Sequence, residues 1–212
     1  MIRQCVKQVL WSLSVGGLVG MVSSGCSPIK LPELHTYTLV PTHSFAQVFH
    51  KNYRHQSSSV LYVATPSANP GYETTSMLYM TEPYQLSAFG QSQWAAPPAL
   101  MVQGIVADAV RARGYYKAVL THAQGAQWQY RLNVTLIQLQ QEFIGPQSRV
   151  RLELMASLVD VAQGGRVLAS QRFMAVEPAY AANPYSGVLA ANRAATHLAA
   201  EIAKFCVRNT QS

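Results

Sequence analysis

The chain has 212 residues, of which 49% are hydrophobic and 12% are charged. This balance supports one folded domain with its own core and excludes a disordered chain. The formal net charge is +7, but the basic residues are scattered and form no dense block. Composition therefore favours a mildly basic, solvated surface over a nucleic-acid-binding one.

The first 25 residues have the layout of an export signal. Arg3 and Lys7 give a positive start, and an apolar run from Val9 to Val22 follows. That run of about 14 residues is shorter than the ~20 that a transmembrane helix needs. Small residues then lead to Cys26. We therefore predict that residues 1–25 are a lipoprotein signal peptide, removed on export.

Cys26 is the first candidate functional residue. After signal removal the chain keeps only Cys26 and Cys206, so a disulfide framework of several bridges is excluded. A single bridge between the two stays open, although Cys206 falls in a helical pattern near the C-terminus. Ser24-Gly25-Cys26 resembles the end of a bacterial lipobox, with Ser23 where leucine is usual. We predict lipidation of Cys26, with simple secretion as the alternative.

The predicted lipid anchor divides the mature chain into two parts. Residues 26–36 contain two prolines and few large apolar residues, and we expect them to form a lipidated tether. Residues 37–212 form the predicted folded domain. Several acyl chains on one cysteine, palmitate among them, would hold this domain stably at a membrane. No later segment is apolar for long enough to span a bilayer.

Short strands are predicted in the first half of this domain. The run SVLYVAT, Ser59–Thr65, is rich in β-branched and aromatic residues and ends at a proline, which predicts a buried strand. The runs SMLYMTE and YQLSAFG predict two more strands that form a hairpin around Pro83. The pattern of residues 41–58 indicates no particular structure.

The apolar period becomes helical from Pro97 onward. Pro97-Pro98 suits the first turn of a helix, and Gly114 suits its C-cap. We predict a surface ion pair between Asp108 and Arg111, and we interpret Gly104 as a site of close packing. The apolar face repeats at helical spacing in Val102, Ile105, Val106, Ala109 and Val110.

Four strands are predicted after this helix. The run YYKAVL is the first, and two longer strands follow at Gln129–Phe143 and Arg149–Asp160. Along Gln129–Phe143 every second residue is apolar, but this alternation shifts by one residue at Leu136-Ile137. The shift predicts a β-bulge. A turn at Gly164-Gly165 leads into a further antiparallel strand, 166–176.

A second helix is predicted to begin at Asn183-Pro184, an N-cap followed by a proline in the first turn. Its buried stripe is rich in alanine, which allows close approach to a sheet. Together these elements predict an α+β fold, with a mainly antiparallel sheet and two principal helices packed against it.

The sequence does not support catalysis or a bound cofactor. It has only two aspartates, Asp108 and Asp160, and its six histidines lack metal-ligand spacing. No nucleophile elbow, phosphate-binding loop or C-x-x-C motif occurs. Cys206 belongs to a buried helix face and is expected to be an inert thiol. We therefore predict a protein that is not an enzyme and holds no metal or cofactor.

Aromatic residues before the first helix are the second functional candidate. Trp94 precedes Pro97 and Pro98 at the entry to that helix. One interpretation is that Trp94 staples the helix start to the sheet. The other is that Tyr84, Phe89 and Trp94, with the two prolines, form a partner-binding surface.

Three segments carry a resemblance to a known family: LYVATP, MLYMTEPYQLSAFGQSQWAAPPALM and RGYYKAVL. With Tyr37-Thr38-Leu39 before them, they are similar to the ABC-type transport auxiliary lipoprotein family, which includes the paraquat-inducible lipoprotein. The elements from Trp94 to Pro98 and from Gly114 to Val119 are its most specific matches. Gln93 stands where the family often has arginine.

The resemblance implies a non-catalytic envelope lipoprotein. Its implied partners are an ABC transporter and an MCE-type periplasmic protein that move lipids or other apolar molecules between membranes. Because Ser27 is not aspartate, we expect an outer-membrane anchor with the domain facing the periplasm. A homo-oligomer stays open, and no nucleic-acid partner is expected. The alternatives are a free-standing lipoprotein that binds a small apolar ligand or cell-wall fragment, and an envelope hydrolase.

Overall fold

The structure is a computed structural model that describes residues 32–48, 56–123 and 127–211. The predicted signal peptide and Cys26 lie outside these residues. Among the described helices, none combines the length and the apolar character that crossing a membrane requires.

Within the described ranges, nine strands form one mixed sheet, and three helices accompany it. The helices are α1 (Phe45–Val48), α2 (Pro98–Arg113) and α3 (Pro184–Arg208). The strands are β1 (His35–Tyr37), β2 (Ser57–Val63), β3 (Ser67–Ala68), β4 (Ser76–Met80), β5 (Ser87–Trp94), β6 (Tyr116–Leu120), β7 (Tyr130–Glu142), β8 (Arg149–Asp160) and β9 (Arg166–Pro178).

One side of the sheet is an antiparallel meander of β7, β8 and β9, with β9 at the edge. These long pairings contain most of the paired residues of the sheet, so the predicted α+β class with a mainly antiparallel sheet is confirmed. The predicted bulge is also present, as a register shift between Leu136 and Gln138. By contrast, β2, β3 and β4 join the other side of β7 in parallel. The sequence pattern did not predict this parallel pairing.

Both principal helices pack on one face of the sheet, which we call the inner face. Leucines of β7 and β8 point toward them, and the largest fully buried side chains include Leu132, Leu154 and Ile202. The alanine-rich stripe of α3 is buried as predicted. The other face, the open face, carries mostly polar side chains.

The helix ends follow the predicted caps. The Asn183 side chain accepts a hydrogen bond from the Ser186 N–H (2.8 Å), and Gly114 ends α2 with a φ of 67°. The Asp108–Arg111 ion pair is present at 2.7 Å. The interpretation of Gly104 is wrong: it is exposed, and a Cβ there would meet no atom within 4 Å.

The segment from Thr38 to Phe45 lies across the two helices. Leu39 and Phe45 are buried. The Val40 N–H donates to the Asn192 side-chain oxygen (2.9 Å), and the Thr42 N–H donates to Thr196 Oγ1 (3.0 Å). Because both acceptors are polar groups on the buried side of α3, they bind this segment at a defined position.

Candidate functional site

Trp94 ends β5 and packs into the core, with 4% of its surface exposed. The backbone N–H of Trp94 donates to the Thr75 carbonyl (2.8 Å), and the backbone N–H of Ala95 donates to the Tyr37 carbonyl (2.7 Å). Trp94 therefore holds β1 and the entry to α2 against the core, as the stapling interpretation predicts. Pro98 is buried as well, while Pro97 is half-buried. The prediction that Trp94 and Pro98 present a partner-binding surface is contradicted by their burial.

Tyr84 is fully exposed at the corner between β4 and β5. Its φ of 69° lies in the left-handed region, which is uncommon for residues other than glycine and costs conformational energy. Leu86, two residues later, is 40% exposed. A fully exposed ring contributes nothing to the core, so packing of the ring does not explain the strained backbone at Tyr84. Tyr84 is therefore the predicted candidate that is most accessible to a partner.

Phe89 belongs to a half-buried aromatic cluster on the inner face. Its ring centroid lies 4.5 Å from that of Tyr79 and 6.2 Å from that of Phe143. The packing fixes the Phe89 ring while one side of it stays open. Among the predicted residues, Phe89 and Trp94 lie near one small enclosed cavity, whereas Tyr84 lies apart at the hairpin corner.

An open groove of about 550 Å³ lies beside Phe89. Its walls come from β1, from β5 and from the start of α3, and among the described residues no Asp, Glu, Lys or Arg lines it. Tyr37 and Tyr185 form one wall, with their ring centroids 6.2 Å apart. We name this feature the β5 groove. Its lining residues are His35, Tyr37, Phe89, Gly90, Gln91, Ser92, Asn183, Pro184 and Tyr185.

The open face of the sheet contains a buried carboxylate with two arginine partners. Glu142 is 4% exposed, and both Arg149 Nε and Arg151 Nε donate to it at 2.7 Å. Burial alone would raise the pKa of this carboxyl, but the hydrogen bonds from Arg151 and Arg149 outweigh burial and lower the pKa. The group is therefore ionised at neutral pH. It joins β7 to β8 through these two ion pairs.

The described residues offer no metal site and no reactive thiol. Within these ranges, no three His, Cys, Asp or Glu side chains converge as metal ligands. Cys206 is fully buried, and burial raises the pKa of its thiol. The inert role predicted for Cys206 is thereby supported, since a buried, protonated thiol is a poor nucleophile.

A model of the ABC-type transport auxiliary lipoprotein component family matches residues 37–203. The chain belongs to this family. The crystal structure of protein XCC0632 from Xanthomonas campestris is similar, with a TM-score of 0.72 and 22% identity, covering 83% of this chain and 96% of that one. A crystal structure of an uncharacterized protein has a TM-score of 0.64 and 14% identity, covering 82% and 98%. At these identities the likeness shows the fold alone. No curated protein sequence is significantly similar.

Most residues of the β5 groove were not predicted from the sequence. Phe89 was a candidate, but His35, Tyr37 and Tyr185 were not. Tyr185 follows the helix-starting proline, and Tyr180 and Tyr185 are both exposed. Two tyrosines around a helix start were an available signal of a surface site. Because Tyr185 is far from Phe89 in the sequence, the sequence alone did not show that both residues line one groove.

Proposed function

We propose that this chain is a non-catalytic lipoprotein that assists an ABC transport system of the cell envelope. The family match over residues 37–203 carries the proposal. Two structural observations support it: the thiol of Cys206 is buried, and the Glu142 carboxylate is neutralised by arginines. Neither group is arranged for chemistry. The sequence contains no phosphate-binding loop, so we assign ATP hydrolysis to another subunit.

The transport system in this proposal is of the MCE type, and its cargo is a lipid or another apolar molecule. An MCE-type periplasmic protein and the ABC transporter subunits are the proposed partners. The genetic test compares single deletions of this gene and of the MCE-type gene with the double deletion, using sensitivity of the envelope to apolar compounds as the readout. Equal single phenotypes and no further loss in the double deletion are expected. Additive phenotypes would place the two proteins in separate processes.

The anchor in this proposal is lipid on Cys26, in the outer membrane with the domain facing the periplasm. The lipobox-like residues before Cys26 and the serine after it support this location. The test is Cys26→Ser followed by labelling with an alkyne analogue of palmitate and by membrane fractionation. The wild-type chain should take up the label and sediment with the outer membrane. A Cys26→Ser chain that remains in the membrane fraction would exclude the lipid anchor.

The partner contacts that we propose are Tyr84, Phe89 and Pro97, the accessible members of the predicted set. Tyr84 supports this most directly, because its full exposure and left-handed φ have no role in packing. Tyr84→Ser is expected to reduce crosslinking to the MCE-type subunit without lowering thermal stability. Val167→Ser, at an exposed apolar residue of β9, is the matched control. Equal loss of crosslinking in both variants would contradict the assignment of Tyr84 as a partner contact.

A free-standing lipoprotein that binds a small apolar ligand is the second candidate, and the lack of a large enclosed cavity among the described residues weighs against it. The enclosed apolar cavity beside Trp94 and Leu139 measures about 10 Å³. That volume holds about one water molecule, whereas small-molecule sites enclose roughly 300–1,000 Å³. The β5 groove reaches this volume, but it is open to solvent and does not enclose a ligand. Mass spectrometry of the protein purified without detergent tests this candidate directly. A stoichiometric apolar ligand would favour it over the transport role.

A further inference from the structure

β5 contains an irregularity that leaves part of its backbone without a paired strand. Its register with β4 pairs Ala88 with Leu78 and Gln93 with Ser76. Four residues of β5, Phe89 to Ser92, therefore stand opposite Met77 alone. On its other side, β5 pairs with β1 only from Ser92 onward. Within the described strands, Phe89, Gly90 and Gln91 consequently have no register partner on either side.

These three residues form the floor of the β5 groove. Bulges of this kind end pairing and re-aim side chains, and they are over-represented beside functional sites. Here the bulge places two exposed residues without a register partner, Gly90 and Gln91, next to the half-buried ring of Phe89. The groove therefore offers backbone hydrogen-bonding groups beside an aromatic wall, the combination by which a strand edge binds an extended peptide.

Two other edges of the sheet, at β6 and β9, carry the charges that normally discourage strand addition. At β6, Lys117 is exposed, and Arg111 donates twice to the Val119 carbonyl at 3.1 and 3.2 Å. At β9, Arg172 is exposed and Pro178 ends the strand. The sequence of β5, SAFGQSQW, contains no charge and no proline.

The chain's own tether does not fit the groove. A continuation of β1 in the same register would place Leu34, Glu33 and Pro32 opposite Gln91, Gly90 and Phe89. These three residues are instead exposed and outside any strand. Pro32 has no N–H to donate, and Glu33 would bring a carboxylate into an uncharged groove. The absence of Lys and Arg from the described lining residues also disfavours a lipid phosphate.

We infer that the β5 groove binds an extended, uncharged peptide segment of the transport partner, which adds as a strand along Phe89–Gln91 and places an apolar side chain between Phe89 and Tyr185. This inference rests on the proposed function, because it specifies how the auxiliary protein holds its partner. The segment's backbone supplies the hydrogen bonds, and its apolar side chain supplies the contact area.

Gly90 and Gly104 provide matched variants for the test. Both are exposed glycines, and at both positions a Cβ would meet no atom within 4 Å. Gly90→Leu adds a side chain at a residue that lines the groove, whereas Gly104→Leu adds the same side chain on α2. Both variants should fold with the wild-type circular dichroism spectrum and unchanged or higher Tm.

A phage-displayed library of random dodecapeptides is panned on the full-length protein, and enriched peptides are resynthesised. We expect uncharged peptides that lose at least about tenfold in affinity for Gly90→Leu but not for Gly104→Leu. Because only alternate residues of a strand face one edge, N-methylation of one alternating set of peptide nitrogens should abolish binding and the other set should not. Enriched peptides that bind both variants equally, or no enrichment, would overturn the inference.

Crosslinked co-purification from cells separates this inference from the proposed function. Loss of the transport subunits in Gly90→Leu alone supports the groove as the contact. Equal recovery by wild type and both variants overturns the groove assignment and leaves the proposed function intact. Failure of the wild-type chain to recover any transport subunit counts against the proposed function, while the peptide binding still decides the groove.

Discussion

The β7–β8–β9 meander and the β4–β5 hairpin belong to the same sheet but differ in regularity and exposure. The meander pairs in order along almost its whole length, with one short register shift in each pairing. The hairpin contains the bulge opposite Met77 and the left-handed Tyr84. Regular, buried strands concentrate stability, whereas irregular exposed segments are where binding residues are usually found. The fold thus separates the part that stabilises the domain from the part that is available to a partner.

Leu154→Ala should break the meander and gives the largest expected effect. Leu154 is 1% exposed at the centre of β8, so truncation leaves a cavity in the core. We expect the free energy of unfolding to fall by about 2–5 kcal/mol. Chemical denaturation measures this loss. Met174→Ala, an apolar truncation on the open face with Met174 55% exposed, should change stability by less than about 0.5 kcal/mol. Equal losses would contradict the assignment of the core.

Glu142→Gln tests the charged contact beside the junction of the two regions, where β7 pairs with both β8 and β4. The variant leaves Arg149 and Arg151 without their carboxylate, and we expect a loss of about 1–3 kcal/mol at pH 7. The folded-state pKa of Glu142 is lowered from its ordinary 4.5. Its stabilisation is therefore present above that value and is lost as the pH falls through the lower folded-state pKa.

The measurement for Glu142 is urea denaturation of wild type and variant from pH 7 down to pH 3. The difference between them should shrink as the pH falls below about 4.5. Glu201→Gln is the control, because Glu201 pairs with Lys204 at 2.7 Å on an exposed helix surface. A difference that stays constant with pH would show that Glu142 stabilises the fold through packing and not through charge.

Thr196→Val tests how the N-terminal segment is held on the helices. Valine keeps the shape of threonine but removes the acceptor for the Thr42 N–H, and we expect a loss of about 1 kcal/mol. Hydrogen exchange should become faster for residues 39–44 while the β7–β8 pairs stay protected. Thr135→Val, which removes a hydrogen bond to Ser67 between side chains, is the control. Faster exchange throughout the domain would mean that the segment is part of the global core.

Tyr84→Gly gives the smallest expected effect on stability, and its sign is informative. Glycine adopts a positive φ without strain, so the variant should be as stable as the wild type or up to about 1 kcal/mol more stable. Differential scanning calorimetry checks the shift in Tm. A clear decrease in Tm would show that the Tyr84 ring packs in the domain, and it would remove Tyr84 from the candidate contacts.

Local sequence rules predicted the elements that depend on neighbours in the chain. The Asn183 cap, the Gly114 cap and the bulge after Leu136 each follow from residues within one turn or one strand, and each is present. Periodicity also identified which side of α3 is buried. These features are local, so a single sequence contains the information that defines them.

The features that the sequence did not predict depend on contacts between distant segments. A strand's alternation shows which face is buried but does not show its neighbour, so the parallel pairing of β2 and β4 with β7 was not predicted. Asn192 and Thr196 are polar residues within a buried helix face. Their hydrogen-bond partners, Val40 and Thr42, lie 152 and 154 residues earlier in the chain. Gly104 seemed a packing site because composition alone cannot separate an exposed glycine from a buried one.

The most direct test of the central claim is quantitative recovery of transport subunits with this chain from crosslinked envelopes. The full-length lipoprotein, expressed at its native level, is purified under denaturing conditions after crosslinking, and its partners are quantified by mass spectrometry. The account predicts enrichment of an MCE-type protein and of ABC transporter subunits, reduced by Tyr84→Ser and unchanged by Val167→Ser. Repeated recovery of other envelope proteins, with no transport subunit among them, would contradict it.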